Sequence, residues 1–167
     1  MIAISSRFGK IEYRKSKIIT MVRGILGFNE YIRFIIIEQE GQEPFRWLQS
    51  LENPDLAFLI IDPFYFKKDY KVEINPGDLV ALKAKNTDEL KIFVLVSIPD
   101  KQPSMMTANL LAPIAINKRD MKAVQLVLSE SGYVADQTIF QELERRLAEA
   151  KSSGKEDGST RILIRTY

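Results

Sequence analysis

Two of the densest apolar runs of the chain lie close together, at residues 45–51 and 56–61. In the first run, residues 45–51, the apolar residues hint at alternation with polar ones, which is typical of a strand with one solvent-exposed face. The second run, residues 56–61, is unbroken, which is typical of a strand covered on both faces. Pro54 lies in the turn sequence ENPD between them. We therefore predict two neighbouring strands, joined by a tight turn, on which the core is built.

Further runs of the same kind predict short strands on both sides of this pair. A hairpin is expected between Ile2 and Ile19, and Tyr70, Val72 and Ile74 give the cleanest alternation of the chain, which predicts a half-exposed strand. Other predicted strands cover residues 33–38, 91–99, 107–117, where Pro113 predicts a bulge or an edge, and 123–128. The total is about nine or ten short strands.

One short helix is predicted where Asn75 can act as an N-cap and Pro76 fits the first helical position. The loop GILGF, residues 24–28, contains two glycines that flank Ile25 and Leu26, so we expect an unusual φ there and an apolar pair that plugs into the body. These elements predict a mainly all-β fold. It is a small antiparallel β-barrel-like single domain with one or two short helices and a C-terminal helical extension.

The end of the chain has a different composition. Residues 138–151 carry a narrow apolar stripe, which predicts a docked helix with Thr138 as its cap. Residues 152–160 have the composition of a flexible linker, and 161–167, RILIRTY, that of an edge strand for this chain or a neighbouring one. We accordingly divide the chain into a barrel-like domain, 1–135, and an extension, 136–167.

Composition excludes several classes of chemistry. The chain contains no histidine and no cysteine, which removes the usual general base, the thiolate nucleophile and the commonest zinc ligands. We therefore expect neither an enzyme nor a cofactor or metal, and a carboxylate enzyme is the remaining catalytic alternative. No apolar run approaches the roughly 18 residues of a membrane helix, and no signal peptide is recognisable, so a cytoplasmic location is expected.

Charge is small in total and uneven along the chain. The formal net charge is +2, yet residues 1–23 contain six basic residues and one acidic one, whereas residues 38–62 contain six acidic residues and one basic one. Such a chain can present one basic and one acidic face. The alternative is that these charges cover the solvent-exposed sides of strands and loops.

Four blocks of sequence resemble the flagellar assembly factor FliW family. They are GILGF at 24–28, PFRWLQSLENPDLAFLIIDPFYF at 44–66, TANLLAPIAIN at 107–117 and the ending from Gln125 to Tyr133. The resemblance covers approximately residues 1–133 and leaves out the tail, and the mild positive charge differs from the acidic balance typical of the family. It implies a small β-barrel-like protein that binds and antagonises the translational repressor CsrA and alternatively binds flagellin, without a catalytic group or cofactor.

We expect six residues to border the partner surface, each with a structural alternative. They are Asp55, Leu56, Phe64, Tyr65, Phe66 and Asn109. The three aromatic residues can be interface anchors or a cap on the core. Asp55 can meet a basic partner or satisfy donors in its own turn, and Asn109 can offer an exposed amide or bond the ladder that Pro113 interrupts.

A second functional hypothesis is an OB-like barrel that binds single-stranded RNA. It would use the basic N-terminal strands, with Phe8 and Tyr13 as stacking groups. The stacking aromatics are sparse, so direct nucleic acid binding is not the main expectation. We expect a monomer that does not associate with membranes, and dimerisation through RILIRTY remains an open alternative.

Overall fold

The computed structural model describes residues 1–153. Within this range the strands are β1 (Ile2–Ser5), β2 (Gly9–Glu12), β3 (Ile19–Met21), β4 (Arg33–Ile37), β5 (Arg46–Ser50), β6 (Ala57–Ile61), β7 (Leu90–Ser97), β8 (Thr107–Ala108), β9 (Ile114–Asn117), β10 (Lys122–Gln125) and β11 (Gln137–Thr138). The two α-helices are α1 (Pro76–Ala81) and α2 (Phe140–Ser152). Short 3-10 turns lie at Lys15–Lys17, Pro63–Tyr65, Thr87–Glu89, Pro99–Lys101 and Pro103–Met105.

Seven strands close into a barrel in the order β7, β6, β5, β4, β3, β10, β9 and back to β7. All of these pairs are antiparallel except β3 with β10, where Thr20 lies beside Lys122. A closed ring with an odd number of strands cannot alternate direction all the way round, so one parallel pair is unavoidable. The predicted barrel-like fold is confirmed, with this single exception to its antiparallel pattern.

The barrel interior holds one apolar core to which all seven strands contribute. Because successive side chains of a strand point to opposite faces, every second residue enters this core. Its buried strand residues are Ile19, Met21, Phe34, Leu48, Ile60, Phe93, Ile114, Ile116 and Ala123. A second core lies on the outside, where Ile61, Val94 and Val124 contact residues of the covering segments such as Phe66 and Leu82.

The hairpin β1–β2 covers the outer face of β5 and reverses one prediction. The Ser5 hydroxyl donates to Gln49 Oε1 (2.7 Å), and the ring of Phe8 packs edge-on against Trp47 with centroids 5.7 Å apart. Strand β5 is therefore buried on both faces, and the predicted solvent-exposed face is wrong. Strand β6, predicted to be fully covered, is only half-buried over its first three residues.

The GILGF loop divides its two apolar residues between the core and the solvent. Ile25 is buried among the barrel residues, whereas Leu26 is 60% exposed, so the predicted insertion of both side chains is wrong for Leu26. Gly27 has φ +85°, as expected for a glycine in this loop. At Gly24 a Cβ atom would lie 2.4 Å from Asn29 Cα, so a close approach of two backbone segments requires glycine there.

The alternating segment 70–74 is not a strand, although all of its residues are described. Tyr70 is buried, Val72 and Ile74 are half-buried, and the residues between them are exposed, as the pattern predicts. The segment packs its apolar side chains onto the outer core without joining a ladder. The prediction of its burial is confirmed and the prediction of a strand is wrong.

Of the other local predictions, the start of α1 is confirmed and two strands differ in extent. The Asn75 side chain accepts a hydrogen bond from Asp78 N, and Pro76 is the first residue of α1. The predicted strand 107–117 is split into β8 and β9, and the interruption is wider than Pro113 alone, since it covers residues 109–113. The predicted strand 123–128 is shorter, because β10 ends at Gln125.

Helix α2 docks on the body, as predicted, but begins later. Thr138 is not its cap, because it pairs with Thr107 in β11. The N-cap position is taken by Ile139, and Ile139 and Leu143 are buried in the outer core. Ser152 and Ser153 complete the helix end, whereas the remainder of the predicted linker and the predicted edge strand lie outside the described residues. The division at residue 135 stays a prediction.

Candidate partner-binding surface

The six predicted surface residues do not form one patch. Asp55 and Leu56 precede β6, whereas the aromatic residues 64–66 follow it. A strand of five residues rises about 3.3 Å per residue, so on the order of 16 Å separates the two groups. The two ends of β6 must therefore be considered as separate candidate surfaces.

Phe64 and Tyr65 lie in a hydrogen-bonded 3-10 turn after β6, and Phe66 caps this turn. Phe64 N donates to Asp62 Oδ1 (2.9 Å), and Lys67 N donates to Pro63 O (2.9 Å). Phe64 is 44% and Tyr65 52% exposed. Phe66 is only 6% exposed and packs in the outer core, which corrects its prediction as a surface residue. The turn points its last aromatic inward and presents the first two to solvent.

A buried tyrosine supports Phe64 from behind. The ring of Tyr70 lies 6.1 Å from that of Phe64 and 4.8 Å from that of Tyr133. Its hydroxyl donates to Leu110 O (2.7 Å). Burial of this hydroxyl, with a smaller effect of Tyr133, raises the pKa of Tyr70 well above its ordinary value. The Tyr70 hydroxyl therefore stays protonated and keeps the hydrogen that it donates to Leu110 O.

An open groove of about 760 Å³ adjoins Phe64. Its apolar wall includes Val72 and Ile74, and its charged groups are Asp62, Asp88, Lys91 and Lys118. Two carboxylates and two ammonium groups give the groove no strong excess of either charge. The arrangement suits a protein ligand that contacts the exposed aromatic residues and inserts a side chain beside Phe64.

Asp55 and Leu56 are engaged within the chain at the other end of β6. The Asp55 carboxylate accepts a hydrogen bond from the Ser6 hydroxyl in the β1–β2 turn. Within the turn that contains Asp55, the backbone N–H of Asp55 donates to Asn53 Oδ1 (2.9 Å). Leu56 is half-buried and packs against the barrel core. Among the described residues, the Asp55 carboxylate therefore binds the hairpin and no donor of its own turn, so the structural alternative predicted for Asp55 is wrong.

Asn109 supports the broken ladder, as its structural alternative expects. Its Oδ1 accepts from Ala112 N (3.0 Å), and its backbone N donates to Leu95 O (2.9 Å). The side chain thus closes the irregular segment between β8 and β9. The next residue of this segment, Leu110, accepts a hydrogen bond from the Tyr70 hydroxyl through its carbonyl. Asn109 is thereby connected to Tyr70, whose ring supports Phe64.

Sequence reasoning missed a second group of exposed apolar side chains. Val22, Leu26, Phe28 and Ile32 are all exposed in the segment that leads from β3 to β4. Phe28 packs edge-on against Phe58 near the start of β6, with centroids 5.2 Å apart. The sequence did contain a signal for this exposure. The glycine-containing loop at residues 22–32 has more apolar residues than so short a segment can bury.

Most acidic residues of the segment 38–62 serve local structure. Glu38 pairs with Arg46 (2.6 Å), and Glu52 pairs with Arg33 (3.0 Å) while accepting from Ile32 N (2.8 Å). Burial raises the pKa of Glu52, but the bonds from Arg33 and Ile32 outweigh this and leave it lowered. Of the two interpretations, these contacts favour the one in which the charges stabilise local structure. They do not favour a dedicated acidic face.

The aromatic groups proposed for RNA stacking are partly used by the fold. Phe8 is half-buried against Trp47, and the Arg7 guanidinium lies 4.3 Å from the centroid of the Trp47 ring. Tyr13 is also half-buried. Phe8 and Arg7 both contact Trp47 and thereby attach the hairpin to the barrel. Little of the Phe8 ring is therefore left for stacking on a base.

Two features are absent from the residues that the structure describes, a cluster of metal ligands and a membrane-spanning helix. In the range 1–153, no group of three or more carboxylates is arranged to hold a metal ion. Neither of the helices there has the length and apolar character needed to cross a membrane.

The family described as "FliW protein" matches residues 3–139 of the chain. This match covers the barrel, the covering segments and β11, and it ends where α2 begins.

Individual relatives are described as flagellar assembly factor FliW. The flagellar assembly factor FliW of Bdellovibrio bacteriovorus is 36% identical over 166 residues, which is 99% of this chain and 94% of the relative. That of Caldanaerobacter subterraneus is 42% identical over 147 residues, covering 87% of this chain and 97% of the relative. A crystal structure of the flagellar assembly factor FliW superimposes with a TM-score of 0.77 at 28% identity, covering 84% of this chain and 97% of that one.

Proposed function

Because the chain belongs to the FliW family of flagellar assembly factors, we propose that it binds and antagonises a CsrA-type translational repressor and alternatively binds flagellin. It acts in the cytoplasm as a monomeric, non-enzymatic protein that needs no cofactor and contacts no nucleic acid directly. Flagellin holds the protein while it accumulates, and its export frees the protein to bind the repressor. Flagellin synthesis is thereby coupled to flagellum assembly.

The observation that carries this proposal is the exposed pair Phe64 and Tyr65. Large aromatic side chains that remain exposed on a rigid turn are the usual anchors of protein interfaces, because they bury much area at little entropic cost. The turn is fixed by Asp62 and Pro63, and Tyr70 supports Phe64 from inside. A partner therefore meets a surface that is already organised.

The charge of this surface supports apolar over electrostatic recognition. The groove beside Phe64 has both signs of charge, and the whole chain is only mildly positive. A basic RNA-binding repressor would gain little from long-range attraction to such a protein. Its affinity comes instead from the aromatic contacts, and salt should affect it weakly.

Mutually exclusive binding of two partners needs no chemical step. If flagellin and the repressor compete for Phe64 and Tyr65, saturation with one lowers the apparent affinity for the other. The switch then depends only on the concentration of free flagellin.

The test is a calorimetric titration of the protein with the CsrA-type repressor from the same organism, alone and after saturation with flagellin. We expect saturable binding that flagellin abolishes. Replacing Phe64 and Tyr65 together by Ala should weaken repressor binding by about 2 kcal/mol or more, because both anchors are lost. The control is Leu26→Ala, which removes an exposed apolar side chain from the segment between β3 and β4 and should leave affinity unchanged.

A folded double variant with unchanged affinity would contradict the assigned surface. Absence of heat with both partners, confirmed by absence of co-elution, would contradict the proposed function.

A further inference from the structure

The wall of the barrel is incomplete between β6 and β7. These strands pair only at Ile60 with Leu95 and Ile61 with Val94. Beyond Leu95, β7 continues as Val96 and Ser97, which pair with β8 on the other side. The first residues of β6, Ala57–Leu59, have partners in β5, and among the described residues they have none in β7. The two strands diverge there.

The free edge of β6 directs main-chain groups into this gap. Ser50 N donates to Leu56 O (2.9 Å), so the main-chain groups of Leu56 face β5. Because N–H and C=O groups alternate sides along a strand, those of Ala57 and Leu59 face away from β5, towards β7. The Leu59 carbonyl belongs to the ladder with β7, so the groups open to the gap are both main-chain groups of Ala57 and the N–H of Leu59. A strand edge of this kind can accept the backbone of another extended chain.

The gap is a groove of about 410 Å³ with a mostly apolar lining. Trp47, Leu59, Ile98 and Pro103 are among its walls. Of the described residues that line it, the charged ones are Arg7 and Lys101, and none is a carboxylate. Neither cation forms an ion pair within the described part of the chain.

Arg7 is placed to accept an anion at the mouth of the groove. Its guanidinium lies 4.3 Å from the centroid of the Trp47 ring, and the residue is exposed. Stacking of this kind fixes the plane of the guanidinium and leaves its N–H edge available for a carboxylate. Lys101 adds a second cation from the turn that follows β7.

We propose that this groove binds an extended acidic segment of a partner polypeptide, which adds as a strand to β6 at Ala57–Leu59 and brings a carboxylate to Arg7 and Lys101. The free edge selects an extended peptide backbone, and the two unpaired cations select acidic side chains. The site is distinct from the surface at Phe64 and Tyr65, so each can fail without the other.

The test uses the full chain and a short blocked peptide of alternating valine and glutamate with a fluorescein label. Peptide anisotropy reports binding anywhere on the protein. Emission of Trp47, the single tryptophan, reports binding at the groove. We expect both signals to change with the same saturable dependence on concentration, and a peptide of valine and lysine should change neither.

Two variants and one modified peptide separate the contribution of the cations from that of the backbone hydrogen bonds. Lys101→Glu and Arg7→Glu should each weaken binding by about tenfold, since an attractive contact becomes a repulsive one. Lys68→Glu is the control, because it makes the same charge change at an exposed lysine outside the groove. A glutamate peptide that is N-methylated at alternate residues keeps its charge and should lose binding, because it cannot donate to the strand edge.

Several results would overturn the proposal. They are absence of an anisotropy change, an anisotropy change without a change in Trp47 emission, and equal binding of the N-methylated peptide. Self-association of the unliganded chain that Lys101→Glu abolishes would assign the edge to a second copy and would overturn it as well.

Discussion

At the scale of single residues, a few polar side chains determine which aromatic groups reach the surface. Asp62 holds the turn on which Phe64 and Tyr65 are exposed, while the same turn buries Phe66. Tyr70 then supports Phe64 through a ring contact and bonds the Leu110 carbonyl. The exposed pair is thus positioned by buried polar contacts as much as by apolar packing.

The Tyr70 hydroxyl should contribute measurably to stability. Tyr70→Phe removes the donor to Leu110 O and should lower the free energy of unfolding by about 1–2 kcal/mol, because a buried carbonyl loses its partner. The control is Tyr65→Phe, which removes the same group from an exposed ring and should change stability little. Urea denaturation at pH 7 measures both, and equal stability of the two variants would contradict this role.

Burial of the Tyr70 hydroxyl predicts that its contribution to stability depends on pH. The folded pKa of Tyr70 is raised, so its contribution is fully present below the ordinary tyrosine pKa of about 10. It is lost progressively as the pH rises from there towards the folded pKa. The stability difference between the wild type and Tyr70→Phe should therefore shrink above about pH 10, and a constant or growing difference would contradict the raised pKa.

At the scale of elements, segments distant in sequence decide how each strand is covered. The hairpin β1–β2 buries the outer face of β5, and α2 completes the outer core through Ile139 and Leu143. Strand β6 receives no such cover over its first half, which creates the groove beside Trp47. The exposed and the buried parts of the barrel wall follow from these covering elements.

Docking of α2 should be energetically significant. Leu143→Ala should lower the free energy of unfolding by about 2–4 kcal/mol, because it removes a side chain that is buried in the outer core. Gln141→Ala, at an exposed position of the same helix, should change it by less than about 0.5 kcal/mol. Thermal denaturation followed by circular dichroism measures the difference, and a neutral Leu143→Ala would show that the helix is not docked in solution.

At the scale of the whole molecule, the two cores share the walls that separate them. Strands β6, β7, β9 and β10 each contribute residues to the barrel core and to the outer core. One core therefore cannot lose its packing while the other keeps it. The small size of the domain also favours cooperative unfolding.

The described part of the chain should unfold in one transition. Emission of Trp47 reports the hairpin and β5, while far-ultraviolet circular dichroism reports the secondary structure as a whole. Both signals should give the same urea midpoint, because a strand cannot leave one core without disrupting the other. Separate midpoints would show that the hairpin detaches before the barrel opens.

Sequence patterns predicted local features correctly where short-range chemistry determines them. The Asn75 and Pro76 start of α1 and the turn at Pro54 follow from capping and from the fixed φ of proline. The alternating burial of residues 70–74 was also predictable, since it reflects a period of two. The exposure of Phe64 and Tyr65 was one of two alternatives that the sequence left open.

The apolar runs and the turns between them, both of which are local features of the sequence, specify a small mainly-β domain of the FliW type. Contacts between distant segments determine that β5 is covered on both faces, that residues 70–74 join no ladder and that β3 pairs in parallel with β10. The tertiary structure also separates Asp55 from Phe64 by the length of β6 and buries Phe66. The physical reason is that a pattern records the preferences of neighbouring residues, whereas burial and pairing depend on segments that arrive from elsewhere in the chain.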